Sequence, residues 1–198
     1  MGIYTLELNG KPIGEDYFAP GLTSYAHQLQ YQSYDITPLL KEDNILTATV
    51  AGGWAVGIYT GGRKNRIAAK LPSLLLELRL EYADGRTQLL GTDETWLVTQ
   101  DGPVRSAGWY DGEVYDANML LSQARWRSAD CVSLQLHPQL LPQYGPPVRI
   151  WNTLKPQKVF QASDGEWIYD FGQNFAGILR FKITAETGQE LWFRHGEI

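Results

Sequence analysis

Residues 106 to 118, SAGWYDGEVYDAN, place the carboxylates Asp111, Glu113 and Asp116 among the rings of Trp109, Tyr110 and Tyr115. Such a grouping has four chemical readings. Two carboxyls flanking a sugar bond can hydrolyse it, and inversion needs them about 6.5–9.5 Å apart. On an extended strand Asp111 and Glu113 share a face at about 6.5–7 Å, so spacing alone permits this. A general acid also needs a pocket that raises its pKa. The sequence shows no second wall, and no residue is assigned a catalytic role.

As hard oxygen ligands, Asp111, Glu113 and Asp116 can also hold Ca²⁺, with Asn118 and Asp101 as further donors. The twelve-residue EF-hand spacing is absent. In the third reading the acids and Asn118 meet sugar hydroxyls while Trp109 or Tyr110 stacks on the ring. In the fourth, Asp111-Gly112 is a turn whose neighbouring carboxylates anchor backbone N–H groups or dock other domains. Trp54, after Gly52-Gly53, is a second stacking candidate, because glycine permits close approach of a ligand or a chain. A core or interface place is the commoner use of such a ring, and the favoured reading here. The GGRKNR segment, 61 to 66, reads as a solvated loop that can reach towards an active-site mouth.

Other motifs fall away. DFGQNFAG contains the kinase triplet without its Gly-rich loop, strand lysine or catalytic loop. His27, His137 and His195 form no metal pattern, and Cys131 has no histidine near it in sequence. No P-loop or dinucleotide fingerprint occurs.

The elements that must carry these residues are strands. The chain has 198 residues, 43% hydrophobic and 20% charged, which suffices for a core. Its 20 Gly and 10 Pro punctuate short apolar runs, and 12% of residues are aromatic. That composition predicts an all-β chain. YTLEL alternates, and Asn9-Gly10 turns it; LLELRLEY alternates, and Asp84-Gly85 turns it back into TQLLGT. ILTATVA from Ile45 reads as a buried strand. DITPLLKEDN predicts a helix of about two turns at most, with Thr37 as N-cap and Pro38 in its first turn. Pro138, Pro142, Pro146 and Pro147 mark an interdomain linker. Beyond it EWIYDFGQNFAGILRFKI and QELWFRH read as strands, with a turn at Thr187-Gly188. These last residues are too few for a stable domain, so the chain is expected to be a fragment.

With a net charge of −5 and no basic cluster, the chain suits neither nucleic acid nor an anionic membrane. A single cysteine and an opening MGIYTLELNG without a signal-peptide pattern place it in the cytoplasm by expectation. No apolar run reaches transmembrane length.

Several segments together resemble the bacterial α-L-rhamnosidases. YTLELNGKPIGEDYFAPGLTSYAHQLQYQSYDITPLLKEDNILTATVAGGW is similar to the opening of that family's amino-terminal β-domain. YADGRTQLLGTDETWLV and YDGEVYDAN continue it in order. PPVRIWNTLKPQKVF and YDFGQNFAGILRFKI…TGQELWFRHGEI resemble the start of the family's concanavalin-like β-sandwich. The resemblance implies a galactose-binding-like jelly-roll β-sandwich over 1–143 and a truncated second β-sandwich segment over 144–198. It also implies that hydrolysis belongs to an (α/α)6 barrel whose carboxyls this chain does not contain. The chain is then a non-catalytic accessory part, with Trp54, Trp109, Tyr110, Asp111, Glu113, Asp116 and Asn118 as candidate sugar contacts. Its expected partner is an L-rhamnosyl carbohydrate, with calcium as a helper, or the downstream catalytic domain of the same protein. In AGGWAVG, Ala55 stands where the family carries a second aromatic residue.

Overall fold

The computed structural model describes residues 1–59, 64–65, 68–110, 112–133 and 137–196, without the side chains of Tyr59, Lys64 and Asn65. Strand β1 (Ile3–Leu8) turns into β2 (Lys11–Ile13) through Asn9-Gly10, with Leu8 opposite Lys11. Asn9 has φ +56° and Gly10 +73°, the left-handed pair that a two-residue hairpin demands and that these residue types tolerate. Next come β3 (Gln28–Tyr31), a 3-10 turn at Thr37–Leu39, and β4 (Leu46–Ala51). β4 lies antiparallel along the whole of β1, giving the order β2-β1-β4.

A single helical turn, α1 (Gly53–Val56), leads to the paired β5 (Ile58–Tyr59) and β6 (Lys64–Asn65). The strands β7 (Glu77–Glu81) and β8 (Thr87–Gly91) form the hairpin that alternation and Asp84-Gly85 predict. Leu78 and Leu80 turn towards the protein while Glu77, Arg79 and Glu81 face water. Then come β9 (Leu97–Val98), β10 (Val104–Gly108), β11 (Gly112–Tyr115), a 3-10 turn at Leu121–Gln123, and β12 (Arg127–Ser128), which pairs with β9. β13 (Gln139–Pro142) returns to lie parallel to β3. β14 (Lys158–Gln161) and β15 (Trp167–Asp170) make the last hairpin. The all-β class is as expected. Among the described residues no helix is long and apolar enough to cross a membrane.

The chain divides into two compact units, Met1–Arg149 and Ile150–Ile198. In the first, Leu8, Ala19, Tyr25 and Ala55 are buried. Four local expectations change. The two-turn helix is one 3-10 turn: Ile36, not Thr37, stands at its N-cap, Asp35 Oδ1 accepts the Thr37 N–H at 2.9 Å, and Asn44 closes the following loop on Lys41. Those side-chain bonds satisfy the backbone groups that a longer helix would have used. ILTATVA is a half-buried edge strand, with Ile45 exposed, and among the described residues only β1 pairs with it.

The Pro-rich stretch holds strand β13. Pro142 closes that edge strand, where a missing N–H costs no ladder bond. Val148 also bridges to Tyr17. In the second unit the turn at Thr187-Gly188 forms, with the Gln189 N–H donating to the Glu186 carbonyl at 3.1 Å. No described residue after Asp170 lies in a strand. An apolar extended run becomes a strand only where a neighbour takes its N–H and C=O groups.

Asn9 also ties β1 to the loop before β4. Its Nδ2 donates to the Leu39 carbonyl at 3.1 Å and to Asn44 Oδ1 at 3.0 Å, and its Oδ1 accepts the Ile45 N–H at 2.9 Å. Asn9→Ala removes these bonds and strains the left-handed turn. It is expected to destabilise the first unit by about 2–3 kcal/mol, read from a urea denaturation midpoint.

Candidate functional site

The SAGWYDGEVYDAN segment folds as a β-hairpin. β10 and β11 pair from Val104↔Tyr115 to Gly108↔Gly112, with a bulge between Val104 and Ser106. Trp109 and Tyr110 lie in its connection, and Gly112 takes φ +74°, which a Cβ would oppose. Asp111 lies outside the described residues. Glu113 stands exposed on β11, opposite Ala107. Asp116 ends the hairpin. Its N–H donates to the Pro103 carbonyl at 2.8 Å, and its Oδ1 accepts from the Asn118 N–H at 2.9 Å and Asn118 Nδ2 at 3.1 Å. That is an Asx turn, so Asp116 and Asn118 bind each other and the backbone.

The two tryptophans meet although 55 positions separate them. Their rings stack at 4.5 Å between centroids, with planes 21° apart. Phe18 sets its edge against both, at 4.6 Å from Trp109 and 6.4 Å from Trp54. Trp54 lies within α1, whose Ala55 is fully buried. Gly53 precedes it at φ +51°, where a Cβ would stand 2.7 Å from Ile3 Cγ2. The helical turn can therefore press on β1 only without a side chain at 53. Phe18 has φ +59°, a conformation costing about 1–3 kcal/mol for a bulky residue. Its ring contacts with the two tryptophans, about 0.5–1.5 kcal/mol each beyond burial, offset much of that. Trp109 keeps 36% of its surface and Tyr110 55%. One face of each tryptophan is spent on the other, while Trp109 and Tyr110 keep part of their surface exposed.

Sequence spacing singles out Trp54 and Trp109 but not Phe18, whose only local sign is its place before Ala19-Pro20. It also passes over Arg125. A cavity of about 210 Å³ brings together Asp101 and Asn118, two of the proposed calcium donors, and Arg125 lines it with them. The Arg125 N–H donates to Asp101 Oδ2 at 3.0 Å and its Nε at 3.3 Å. These bonds, the backbone one foremost, hold the Asp101 carboxyl below the usual carboxylate range. Among the described residues no group of three or more His, Cys, Asp or Glu is placed to hold a metal ion.

Comparison with known proteins adds a second line of observation. Residues 1–152 match the α-L-rhamnosidase N-terminal domain, and residues 160–198 match the bacterial α-L-rhamnosidase concanavalin-like domain. An α-L-rhamnosidase of Streptomyces avermitilis is 32% identical over all of this chain, and one of Alteromonas sp. is 34% identical over 99% of it. The chain spans only 20% and 22% of their lengths. The crystal structure of the Streptomyces avermitilis enzyme complexed with L-rhamnose superposes with a TM-score of 0.81 and 34% identity. It covers 87% of this chain and 18% of that one. The native Aspergillus terreus enzyme gives 0.74 and 30%, over 87% of this chain and 21% of its own.

Two outcomes test the site. Trp54→Ala and Trp109→Ala should each lower stability by about 2 kcal/mol, and a double-mutant cycle should show coupling of about 0.5–1.5 kcal/mol. Independent, additive losses would mean that the rings do not stack in solution. Asp101 has a lowered folded pKa, so its contribution is present above the ordinary carboxylate value and fades as pH falls through the folded one. NMR titration should show Asp101 taking up its proton below the ordinary aspartate range as acid is added, as should Asp35, Asp84 and Asp93.

Proposed function

Because the chain belongs to the α-L-rhamnosidase family, we propose that it is non-catalytic accessory β-structure of an α-L-rhamnosidase-like glycoside hydrolase. The observation that carries the reading is the Phe18–Trp54–Trp109 cluster. The residues best suited to sugar chemistry spend their ring faces on one another and fasten the β10–β11 hairpin to α1. Glu113 and Asp116 point to the same role. One stands exposed on a two-stranded hairpin, and the other is committed to a turn. A glycosidase pair instead needs two carboxyls facing each other across a sugar-sized cleft. In this reading the segment builds and orients a domain, and cleavage of the rhamnosyl bond belongs to parts of the enzyme beyond these residues.

A second reading draws on the exposed surface of Trp109 and the neighbouring Tyr110. An apolar sugar face laid there would make the same domain a rhamnosyl-binding module, with the stacked tryptophans as its rigid floor. The two readings share the accessory role and differ in whether the cluster meets a ligand.

Assay of the 198-residue chain with 4-nitrophenyl α-L-rhamnoside should release no nitrophenol. A chain extended to the length of its relatives should release it, and there Trp109→Ala should lower the melting temperature while leaving kcat unchanged. Turnover by the short chain that vanishes in Glu113→Gln or Asp111→Asn would overturn the proposal.

A further inference from the structure

A second, unassigned cavity of about 390 Å³ opens in the first unit, where β3, the end of β13 and residues 145–149 meet the loop at Asp16. Its volume lies at the lower end of the range of small-molecule sites. The polar side chains around it are held in place by one another. Tyr34 Oη donates to Asp16 Oδ2 at 3.1 Å, and Arg149 Nε donates to Asp16 Oδ1 at 3.3 Å across 133 positions. A second chain runs from the Tyr4 hydroxyl to Gln32 Oε1 at 2.6 Å, from Gln32 Nε2 to Gln143 Oε1 at 2.9 Å, and from Gln143 Nε2 to the Gly145 carbonyl at 3.3 Å. Asp16 keeps only 10% of its side-chain surface. Burial first, then the Tyr4 hydroxyl and the Asp16 charge, push the Tyr34 phenol far up, so it stays a neutral donor. Groups fixed before a ligand arrives lose little freedom on binding it.

What these bonds leave over defines the occupant. Arg149 uses only Nε, so both its Nη groups are without a partner among the described residues. The hydroxyls of Tyr31 and Ser33, which also line the cavity, have none among those residues either. The surplus is therefore several donors on one wall, with the rings of Pro142 and Pro147 and the half-exposed Tyr31 ring as apolar surface. Asp16 already balances the Arg149 charge, and the chain carries −5 overall, so an anion gains no net attraction. A small neutral molecule with several oxygens on one side and C–H groups on the other answers this description.

We propose that this cavity binds a single neutral sugar ring, at a site separate from the Trp109 face. Its oxygens accept from Arg149, Tyr31 and Ser33, and its C–H face lies on the proline and tyrosine rings. The proposal stands apart from the question of what the aromatic cluster meets.

Calorimetry and saturation-transfer NMR with L-rhamnose on the 198-residue chain test it, with D-galacturonate as the anionic comparison. Tyr31→Phe and Ser33→Ala remove hydroxyls that no protein group uses, so circular dichroism should not change. Each should weaken L-rhamnose binding about fivefold or more. Wild-type affinity in both variants overturns the proposal, as does loss of binding in Trp109→Ala while Tyr31→Phe binds normally. Tighter, salt-sensitive binding of galacturonate overturns the neutral class. No sugar binding at all also overturns it, and leaves the accessory role to the turnover and melting test of the extended enzyme.

Discussion

β1 is the one strand, among those described, with a partner on each edge, and the first unit is arranged around that double ladder. Six residue pairs join it to β4 and three to β2. From it the Tyr4 N–H donates to the Ala19 carbonyl at 2.9 Å, and the Asn9 N–H to the Ile45 carbonyl at 2.8 Å. The first of these bonds fixes the loop that carries Asp16 on one side and Phe18 on the other. Both the polar cavity and the aromatic cluster are thereby set by one strand. The Tyr4 hydroxyl reaches the cavity side through Gln32, while Ile3 packs on Gly53 beneath Trp54.

This arrangement explains why an unfavourable backbone at Phe18 is tolerated. A residue in the left-handed region persists only when its surroundings over-determine it. Here the Phe18 carbonyl closes a turn by accepting the Gly21 N–H at 2.9 Å, the next residue is buried, and the ring meets two tryptophans. Loop, strand and hairpin each hold what the others need. The cluster is accordingly a structural device first, and any ligand would meet it already formed.

How much of this could be read from the chain depended on the distance over which each feature is specified. Asn9-Gly10 and Asp84-Gly85 announce their hairpins because the turn chemistry is local and the flanking alternation has period two. Gly112, at φ +74°, stands where a turn was one of the readings its sequence offered. The parallel pairing of β13 with β3 was not, since it joins residues 111 positions apart and one partner is interrupted by proline. Trp54 and Trp109 could be named as notable rings, yet their stacking depends on α1 and a hairpin tip converging. Nothing in either segment encodes the other. The Asp16–Arg149 pair was invisible for the same reason, and Arg149 reads in sequence as an ordinary charge beside prolines.

The second unit carries the same logic to its opposite limit. A lone two-stranded hairpin is marginal in water, because neither its outer ladder groups nor both its faces find partners. β14 and β15 have this form, and Val159, Phe160, Trp167, Ile168 and Tyr169 all remain exposed. Trp151 and Trp192 are more than four-fifths exposed. Burying one such side chain contributes about 1.5–3 kcal/mol, so surfaces of this size are matched to cover rather than to solvent. The runs after Asp170 stay unpaired for the converse reason that keeps β1 in place: a strand is stable only as one member of a ladder. Alternation and turn signals specify which segments can be strands, and only the presence of neighbours decides which of them are.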